Sequence, residues 1–594
     1  MLRILVLSIV TLIFCACQEG KKKTLESVLH TAVENKIDSI NTSLNAIGDT
    51  RLVPKLKEHL ATCRKQYKKI EPFVEYYFQG FSRRVNGPAL PDIKTDDNVV
   101  NAATGFQVLE EIVYSDSIDI EQLKVQAKIL TTDLRFIKQN FANLPVRDHH
   151  IYELIQHQII RIATLGITGF DSPVALRSIE ESRYSLEGIA GIYRQYCEMA
   201  EKEPNLEVIT LVKKATDYVA SNNEFNSFDR LSFIRNSLMP LSNALSEDFQ
   251  VTIDATPNFK DGKVFFGNLA DLMQGKSLNP DAFSSFADSR STPEKVVLGQ
   301  ILFSDQALSK SGVMSCASCH QAEKAFTDGR KVSSANIHST GIKRNSPTLL
   351  YSSFQKAFFY DLRAQDLENQ IESVMRNPDE FDLSPEEIRK RIMKREQLVR
   401  LFEKAYPTKK EFTAYEVRNA IAAYVRSLMP FESKIDNFFN GTAALTESEE
   451  NGFNLFAGKA KCATCHFIPL YNGTIPPWYN NTESEVIGVP QKIEWENAVV
   501  DPDMGRYLIN EIEELRFSFK TPTVRNIELT APYMHNGVYN TLEEVVKFYD
   551  LGGGNGIGMN TAHQTLPFDK LDLSPQEKND IVDFLKTLTD VKKK

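Results

Sequence analysis

Two short cysteine and histidine motifs are the most chemically specific feature of this 594-residue sequence. Motif 1 is Cys316-Ala317-Ser318-Cys319-His320 and motif 2 is Cys462-Ala463-Thr464-Cys465-His466. Two thiols one helical turn apart can each add to a vinyl group of haem, and the adjacent imidazole then falls under the iron. Chance would produce roughly 0.002 such motifs at these residue frequencies. The motifs therefore predict two covalently bound haem c groups, with the four thiols as attachment points and His320 and His466 as proximal ligands.

Other chemistries explain the motifs less well. A thioredoxin-like redox site needs only Cys-x-x-Cys and leaves both histidines unexplained. A zinc site would require the two motifs to share one metal. Two haems still leave open whether the chain is an electron carrier, which usually fills both axial positions of the iron, or an enzyme, which leaves one position open for its oxidant.

Short segments around the two motifs follow one another in a characteristic order. They are Leu302-Phe303, Leu308 to Gly312, Phe326 to Gly329 and Arg344 to Leu349 near motif 1, and Phe519 to Asn526 and Ala531 to Gly537 after motif 2. Together they resemble the bacterial dihaem cytochrome c peroxidase and MauG family, over about residues 280–588. The resemblance implies an oxidoreductase that reacts with hydrogen peroxide.

The resemblance implies that the first haem, with His320 as its proximal ligand, is the peroxide site. The family's distal Gln and Glu match Gln370 and Glu380 here. A carboxylate beside an open iron can take a proton from the near oxygen of peroxide and deliver one to the far oxygen. Glu380 is the candidate for that role, and Gln370 would hydrogen-bond the bound oxidant. Without the haem motifs, both would be read as ordinary exposed helix residues.

Two further positions near the first haem follow from the resemblance. The family often places a Trp between the two haems to relay electrons, and the matching residue is Tyr360. Some members close the resting peroxide site with a distal His on the loop before Arg-Asn-x-Pro, where this chain has His338. His338 is either such a gating ligand or an exposed loop residue.

The distal ligand of the second haem separates two branches of the family. Peroxidases supply a Met after the His-x-Gly segment, whereas MauG-like members supply a Tyr, and the matching residue is Tyr549. A thioether favours reduced iron and raises the potential, while a phenolate favours oxidised iron and lowers it. Met534 is the alternative, although it aligns one residue before His535 with an aromatic that is not a ligand.

The family also keeps a calcium ion between the haems, held by an Asn side chain and backbone carbonyls. The matching positions are Asn345, Thr530 and Pro532. Oxygen-only ligation of this kind suits Ca²⁺. The sequence therefore predicts one calcium ion in addition to the haems.

Three functions remain open, in order of preference. The first is reduction of hydrogen peroxide to water with electrons from a small c-type cytochrome or another periplasmic donor. A homodimer is one option for the assembly of such an enzyme. The second is a MauG-like oxidase that holds the oxidising equivalents of peroxide on two haems and oxidises side chains of a partner protein. The third is a non-catalytic electron-transfer cytochrome, which Gln370 and Glu380 argue against.

The elements that must position these residues are predicted to be helices. Apolar residues recur at helical spacing between Thr24 and Ser242, and again in 385–404 and 414–428. We expect an all-α protein with a helical bundle at 24–242, a linker rich in polar and turn-forming residues at 243–290, and two small cytochrome c-like haem domains at 291–440 and 441–590.

The predicted bundle carries no motif of comparable specificity. Its segment Lys69 to Glu111 weakly resembles imelysin-like helical domains, whose Gly-x-His-x-x-Glu motif has Gln107 in place of the histidine here. Glu110, His149, His150 and His157 are conceivable metal ligands, but hydrogen-bonded core or surface residues are the favoured interpretation. A packing or docking role is expected for this part of the chain.

The first 17 residues have the pattern of an exported lipoprotein. Arg3 precedes an apolar run of about eleven residues, and Ala16-Cys17 resembles a lipoprotein cleavage and acylation site. We expect an anchor at Cys17 that holds the protein on the periplasmic face of a bacterial envelope membrane. Cys63 and Cys197 either pair or are buried thiols, the second being favoured. The net charge of -9 argues against a nucleic-acid partner.

Overall fold

The computed structural model describes residues 24–256, 262–333, 342–567 and 569–590. Among these, no helix has both the length and the apolar character needed to cross a membrane. The expected leader with Cys17, and His338, lie outside the described residues. The prediction of a mainly helical protein is confirmed, with two short antiparallel strand pairs added to the helices.

The first half of the chain consists of long helices. The α-helices are α1 (Leu25–Asp49), α2 (Val53–Tyr77), α3 (Gln79–Asn86), α4 (Phe106–Tyr114), α5 (Ile120–Phe141), α6 (Asp148–Arg161), α7 (Ser178–Met199), α8 (Leu206–Ser221), α9 (Arg230–Phe233), α10 (Met239–Asp248), α11 (Gln250–Ala255) and α12 (Leu269–Met273). Short π-helices follow α6 and α9, and the strands β1 (Asp92–Lys94) and β2 (Val99–Asn101) pair between α3 and α4.

The second half has shorter helices separated by loops. They are α13 (Pro293–Phe303), α14 (Cys316–Cys319), α15 (Leu367–Arg376), α16 (Pro385–Met393), α17 (Glu396–Ala405), α18 (Ala414–Arg426), α19 (Lys434–Phe439), α20 (Glu447–Phe456), α21 (Tyr507–Asn510), α22 (Leu542–Asp550), α23 (Gly553–Gly556) and α24 (Pro575–Lys586). The strands β3 (Ser484–Val486) and β4 (Ser518–Lys520) pair with Ser484 opposite Lys520.

The N-terminal helix group, residues 24–248, is built on amphipathic stripes. Helix α1 packs on α2 and α5, and α2 also packs on α6 and α7. In α5, for example, the apolar residues Leu130, Leu134 and Ile137 recur at helical spacing and are buried. Cys63 on α2 and Cys197 on α7 are free buried thiols, which confirms the favoured reading of this pair.

The described residues of the predicted linker, 243–256 and 262–290, contain helices and buried apolar residues. Helix α10 runs across the expected boundary at residue 242, and α12 buries Leu269, Leu272 and Met273. The apolar residues of this segment are few and separated by polar ones, so their burial could not be seen from composition. The segment therefore packs as part of the core that joins the two halves.

Each haem motif lies near a crossed pair of helices. Helix α13 packs on α18 before and after motif 1, and α20 packs on α24 before and after motif 2. A glycine permits each close crossing: a Cβ at Gly299 would lie 1.9 Å from the Ala420 carbonyl oxygen, and one at Gly452 would lie 1.9 Å from that of Asp580. A glycine at a close helix crossing therefore occurs near each of the two motifs in the second half of the chain.

Candidate functional site

The two motifs fold into similar turns. Cys316–Cys319 form one turn of α-helix, and Cys462–Thr464 form a 3₁₀ turn. In each motif the amide of the histidine donates to the carbonyl of the first cysteine, at 2.9 Å for His320 and 2.9 Å for His466. Both pairs of thiols are therefore held one turn apart, with the histidine directly after them, as covalent haem attachment requires.

Both motif histidines are oriented as metal ligands. Nδ1 of His320 lies 3.0 Å from the Phe326 carbonyl oxygen, and Nδ1 of His466 lies 3.0 Å from that of Pro522. A proton on Nδ1 donates in each contact and leaves the lone pair on Nε2 for a metal. Burial lowers the pKa of both rings, that of His466 to about 4, so both are neutral, as ligation requires.

Glu380 lies beside motif 1. Burial raises the pKa of Cys316 and of Cys319, and the Glu380 carboxylate adds to both increases, which places the carboxylate near these thiols. Burial also raises the pKa of Glu380 itself, while Asn377 donates a hydrogen bond of 2.7 Å to its Oε2. Gln370 is half-buried on α15. Glu380 is half-buried, and a carboxylate of raised pKa near a haem position is suited to proton transfer.

Tyr360 lies where the two haem segments meet. Its hydroxyl donates to Asn345 Oδ1, and its carbonyl accepts a 2.7 Å hydrogen bond from the Lys520 amide in β4. Burial raises the pKa of Tyr360, so the phenol stays protonated. The neighbouring Arg344 pairs with Asp361 at 2.6 Å and with Asp503 at 2.6 Å, which joins the segments by charge as well.

Asn345 and Pro532, two of the three expected calcium ligands, are in contact. Asn345 Nδ2 donates to the Pro532 carbonyl oxygen at 2.9 Å. Thr530 ends a 3₁₀ turn two residues before Pro532, and its hydroxyl donates to the Ile527 carbonyl at 3.2 Å. The side-chain oxygen of Asn345 is taken by Tyr360 in this arrangement, so a cation would have to replace that contact.

Tyr549 lies beside motif 2. It is half-buried on α22, and burial raises its pKa, with further increases from Cys465 and Cys462. Met534 lies instead in a turn with φ of 72°, where its carbonyl accepts from the Gly537 amide at 3.1 Å. The adjacent His535 stacks on Phe519 with ring centroids 3.8 Å apart. The electrostatic effect of both motif 2 thiols on the phenol indicates that Tyr549 lies near motif 2.

Buried cations near Tyr360 fit the carboxylate groups of haem. Lys520 is buried and donates to the neutral Gln355 side chain, and burial lowers its pKa to about 8. Arg506 donates to Ser484 at 2.8 Å, but its Nε is buried without a partner among the described residues. Asp361 acts on both cations and Glu483 also acts on Arg506, and the carboxylates of haem would be further anionic partners. The two cations and the motif histidines therefore fit a bound haem.

The sequence reasoning missed two charged groups of this site. Lys520 directly precedes the Thr-Pro-Thr segment on which the resemblance partly rests. The sequence therefore shows the residue but does not indicate its role. Glu485 carries no signal of its own, yet burial raises its pKa to about 7 beside Cys465. Both side chains come from the β3 and β4 pair, which is too short to be predicted from periodicity.

The conceivable ligands in the N-terminal helix group are mostly satisfied by the protein. Glu110 accepts from Ser172 and from the Val174 and Ala175 amides at 2.8, 3.0 and 2.9 Å. Gln107 donates to two backbone carbonyls. No metal-binding group of three or more His, Cys, Asp or Glu occurs within the described ranges. The structural interpretation of these residues is therefore favoured.

Comparisons with known proteins agree with this geometry. The sequence profile of the family described as Di-haem cytochrome c peroxidase matches residues 293–444. The chain is 31% identical over 299 residues to the methylamine utilization protein MauG of Methylorubrum extorquens, covering 50% of this chain and 78% of the relative. It is 35% identical over 302 residues to the cytochrome c551 peroxidase of Nitrosomonas europaea, covering 50% of this chain and 81% of the relative.

A solved structure of a MauG-like protein associated with microbial copper homeostasis is 33% identical, with a TM-score of 0.45, and covers 51% of this chain and 92% of that one. The two sequence relatives are each matched over most of their own length, and the matched family profile includes motif 1. This chain therefore belongs to the di-haem cytochrome c peroxidase and MauG family.

Proposed function

We propose that the chain reduces hydrogen peroxide to water at the first haem, with electrons that arrive through the second. The observation that carries this proposal is the position of Glu380, a half-buried carboxylate of raised pKa near the thiols of motif 1. An electron carrier has no use for a proton-transfer group at that place. Haem c, when attached, supplies an iron that can bind peroxide and accept or donate electrons.

The chain's own residues supply the proton transfer. Glu380 takes a proton from the near oxygen of peroxide and delivers it to the far oxygen, which eases cleavage of the O–O bond. Asn377 holds the carboxylate through a hydrogen bond of 2.7 Å to Oε2. Gln370, half-buried on the same segment, is placed to orient the oxidant. Because burial disfavours the ionised carboxylate and raises its pKa, Glu380 is a stronger base than an ordinary glutamate and can accept and then return a proton.

Tyr360 is proposed as the connection between the two haems. It is held by Asn345 on one side and by the Lys520 backbone on the other, so its ring is fixed where the segments meet. The electron donor is a small c-type cytochrome or another periplasmic reductant. This assignment is supported by the relatives named as cytochrome c peroxidases.

A single-turnover experiment tests this function. The haem-loaded protein is mixed with one equivalent of hydrogen peroxide, and the haem absorbance is followed in a stopped-flow instrument. Rapid spectral change followed by return to the starting spectrum on addition of reduced cytochrome c is expected. An absorbance unchanged by peroxide would contradict the proposal and indicate an electron carrier.

A second function, oxidation of side chains in a partner protein, is favoured by Tyr549. Its phenol lies beside motif 2, and a phenolate ligand stabilises oxidised iron. In the same stopped-flow experiment this function predicts an oxidised state that persists for minutes and is not discharged by the cytochrome. A decay within seconds of cytochrome addition would exclude it.

The remaining expectations are proposals of the same kind. We propose a helical bundle followed by two haem domains, a calcium ion at Asn345, Thr530 and Pro532, a lipid anchor at Cys17, a periplasmic location and a homodimer. The contact between Asn345 and Pro532 supports the calcium site. Metal analysis of the purified protein should find one calcium per chain, and Asn345→Ala should lose it.

Separation of membrane and soluble fractions tests the lipid anchor. The natural sequence should be found with the membranes, and Cys17→Ala should not.

A further inference from the structure

A chain of aromatic side chains leads away from motif 2 into the N-terminal helix group. Trp478 lies in the loop that joins motif 2 to β3. The loop begins next to motif 2, since Ile468 lies two residues after His466. The hydroxyl of Tyr479, which directly follows Trp478, donates to the Ile468 carbonyl at 3.0 Å. At the end of the loop, Glu485 lies beside Cys465. Trp478 therefore belongs to the segment that folds around the second haem position.

The indole of Trp478 contacts residues of α2 and α6. Its Nε1 donates to the Glu75 carbonyl at 3.1 Å, and its ring centroid lies 4.3 Å from that of His157 and 5.7 Å from that of Tyr76. The rings of Tyr76 and Tyr77 are 4.9 Å apart. These oxidisable rings form a continuous series from the loop of motif 2 to two half-exposed tyrosines.

Tyr76 has a built-in proton acceptor. Its hydroxyl donates to Glu153 Oε2, and the other oxygen of Glu153 is paired with Lys263. Burial raises the pKa of Tyr76, and Glu153 raises it further, so the phenol is neutral at rest. A neutral phenol that loses an electron must also lose its proton. The hydrogen bond to Glu153 provides a direct place for that proton.

We propose that Trp478 and Tyr76 form a one-electron relay between the second haem and the surface of the N-terminal helix group. The inference rests on the proposed function, in which each peroxide removes two electrons from the haem pair and, with two protons, becomes two waters. Tyr76 gives one electron through Trp478 and passes its O–H proton to Glu153. An external one-electron reductant then reduces the tyrosyl radical, and Glu153 returns the proton.

The other tryptophan lies on an alternative electron path that lacks a proton acceptor. The chain has two Trp residues, and the second, Trp495, stacks on Tyr539 with centroids 5.5 Å apart. The hydroxyl of Tyr539 is buried without a hydrogen-bond partner among the residues described. Its oxidation would release a proton with no acceptor. Trp495 is therefore a matched control for Trp478.

Electron paramagnetic resonance tests the relay. The haem-loaded full chain is mixed with hydrogen peroxide without a donor, frozen within milliseconds to seconds, and examined for an organic radical. A tyrosyl signal is expected in the natural sequence and in Trp495→Phe, and its loss is expected in Tyr76→Phe and Trp478→Phe. Glu153→Gln should slow its formation about 10²-fold, the usual value of a positioned proton acceptor.

The outcomes separate the relay from the proposed function. The relay would be overturned, and the function left intact, if the haem absorbance responds to peroxide but the tyrosyl signal survives Tyr76→Phe. Loss of the tyrosyl signal in Trp495→Phe would have the same meaning. Haem absorbance that does not respond would overturn both. Where Trp478→Phe lowers the thermal unfolding midpoint, its loss of the radical signal can have a structural reason. Tyr76→Phe removes only a hydroxyl and keeps the ring, so its effect on the radical signal still tests the relay. Peptide mapping of a spin-trap adduct on Tyr76 gives an independent readout.

Discussion

Glu380 is the residue on which the peroxide chemistry depends. Glu380→Gln keeps the size of the side chain but removes its ability to accept a proton, so the reaction with peroxide should slow by about 10²–10⁴-fold. Haem content should not change, because Glu380 is not an attachment residue. Glu386→Gln, an exposed residue of α16, is the control and should react at the normal rate.

The raised pKa of Glu380 also gives the reaction a pH dependence. The base form exists above the raised pKa, so the rate of peroxide reaction should fall as the pH decreases through that value, at a higher pH than an ordinary glutamate would show. Glu380→Gln should lack this decrease. A profile that is identical in the natural sequence and in Glu380→Gln would remove Glu380 from the mechanism.

Tyr549 is the proposed distal ligand that sets the redox character of the second haem. Tyr549→Met replaces a phenolate by a thioether and should raise the midpoint potential of that haem, because a thioether favours reduced iron. Spectroelectrochemical titration measures the change. Tyr539→Phe is the control, because Tyr539 is close to Tyr549 and its hydroxyl has no hydrogen-bond partner in the described part of the chain. A potential unaffected by Tyr549→Met would mean that Tyr549 is not a ligand.

At the residue scale, the sequence predicts the attachment motifs because their spacing is a local covalent requirement. The family resemblance also singles out Tyr360, Asn345 and Pro532, and the structure places Asn345 in contact with the other two. The sequence cannot predict Lys520 or Arg506, since a buried cation is recognisable only once its surroundings are known. The same holds for Trp478, whose partners lie about 400 positions earlier in the chain, a contact that no local pattern encodes.

Among the elements, the two crossed helix pairs are the most sensitive to substitution. Gly452→Ala in α20 should destabilise the protein by about 1–3 kcal/mol, because the new Cβ would overlap backbone of α24 that cannot move alone. Gly191→Ala in α7 is the control, since nothing lies within 4 Å of its Cβ position. It should stabilise the fold by about 0.5–1 kcal/mol. Denaturant unfolding measures both, and equal effects would contradict the crossing argument.

The elements themselves were predictable where apolar periodicity was long. The predicted segment 385–404 is confirmed as helical, although it divides into α16 and α17, and the segment 414–428 corresponds to α18. The four short strands were not predicted, because three residues are too few to show alternation. The close approach at Gly299 and Gly452 was also invisible, since a helical glycine has many possible reasons.

For the whole molecule, Asn454 provides one of the contacts that join the N-terminal helix group to the second haem segment. Asn454 Oδ1 accepts from the Arg230 and Leu231 amides at 2.8 and 3.1 Å. Asn454→Ala leaves both amides without that acceptor and should cost about 1–3 kcal/mol. Hydrogen exchange at α9 should accelerate, whereas Glu450→Ala, exposed on the same helix, should leave it unchanged. Unaltered exchange in Asn454→Ala would show that the two parts are held elsewhere.

The arrangement of the whole molecule was the least predictable level. Composition indicated a linker at 243–290, whereas apolar residues of this segment such as Leu269 and Leu272 pack into the core between the two halves. The sequence also gave no reason to place the N-terminal helix group against motif 2, where Arg83 pairs with Glu483 at 2.9 Å. Contacts between distant segments depend on complementary surfaces, which a single sequence does not display.

Steady-state consumption of hydrogen peroxide by the haem-loaded protein, with and without reduced small cytochrome c, tests the central claim most directly. The account predicts rapid consumption that depends on the donor, with two cytochromes oxidised for each peroxide because its reduction to two waters requires two electrons. Peroxide consumption that does not respond to the cytochrome, in protein shown to carry both haems, would contradict it.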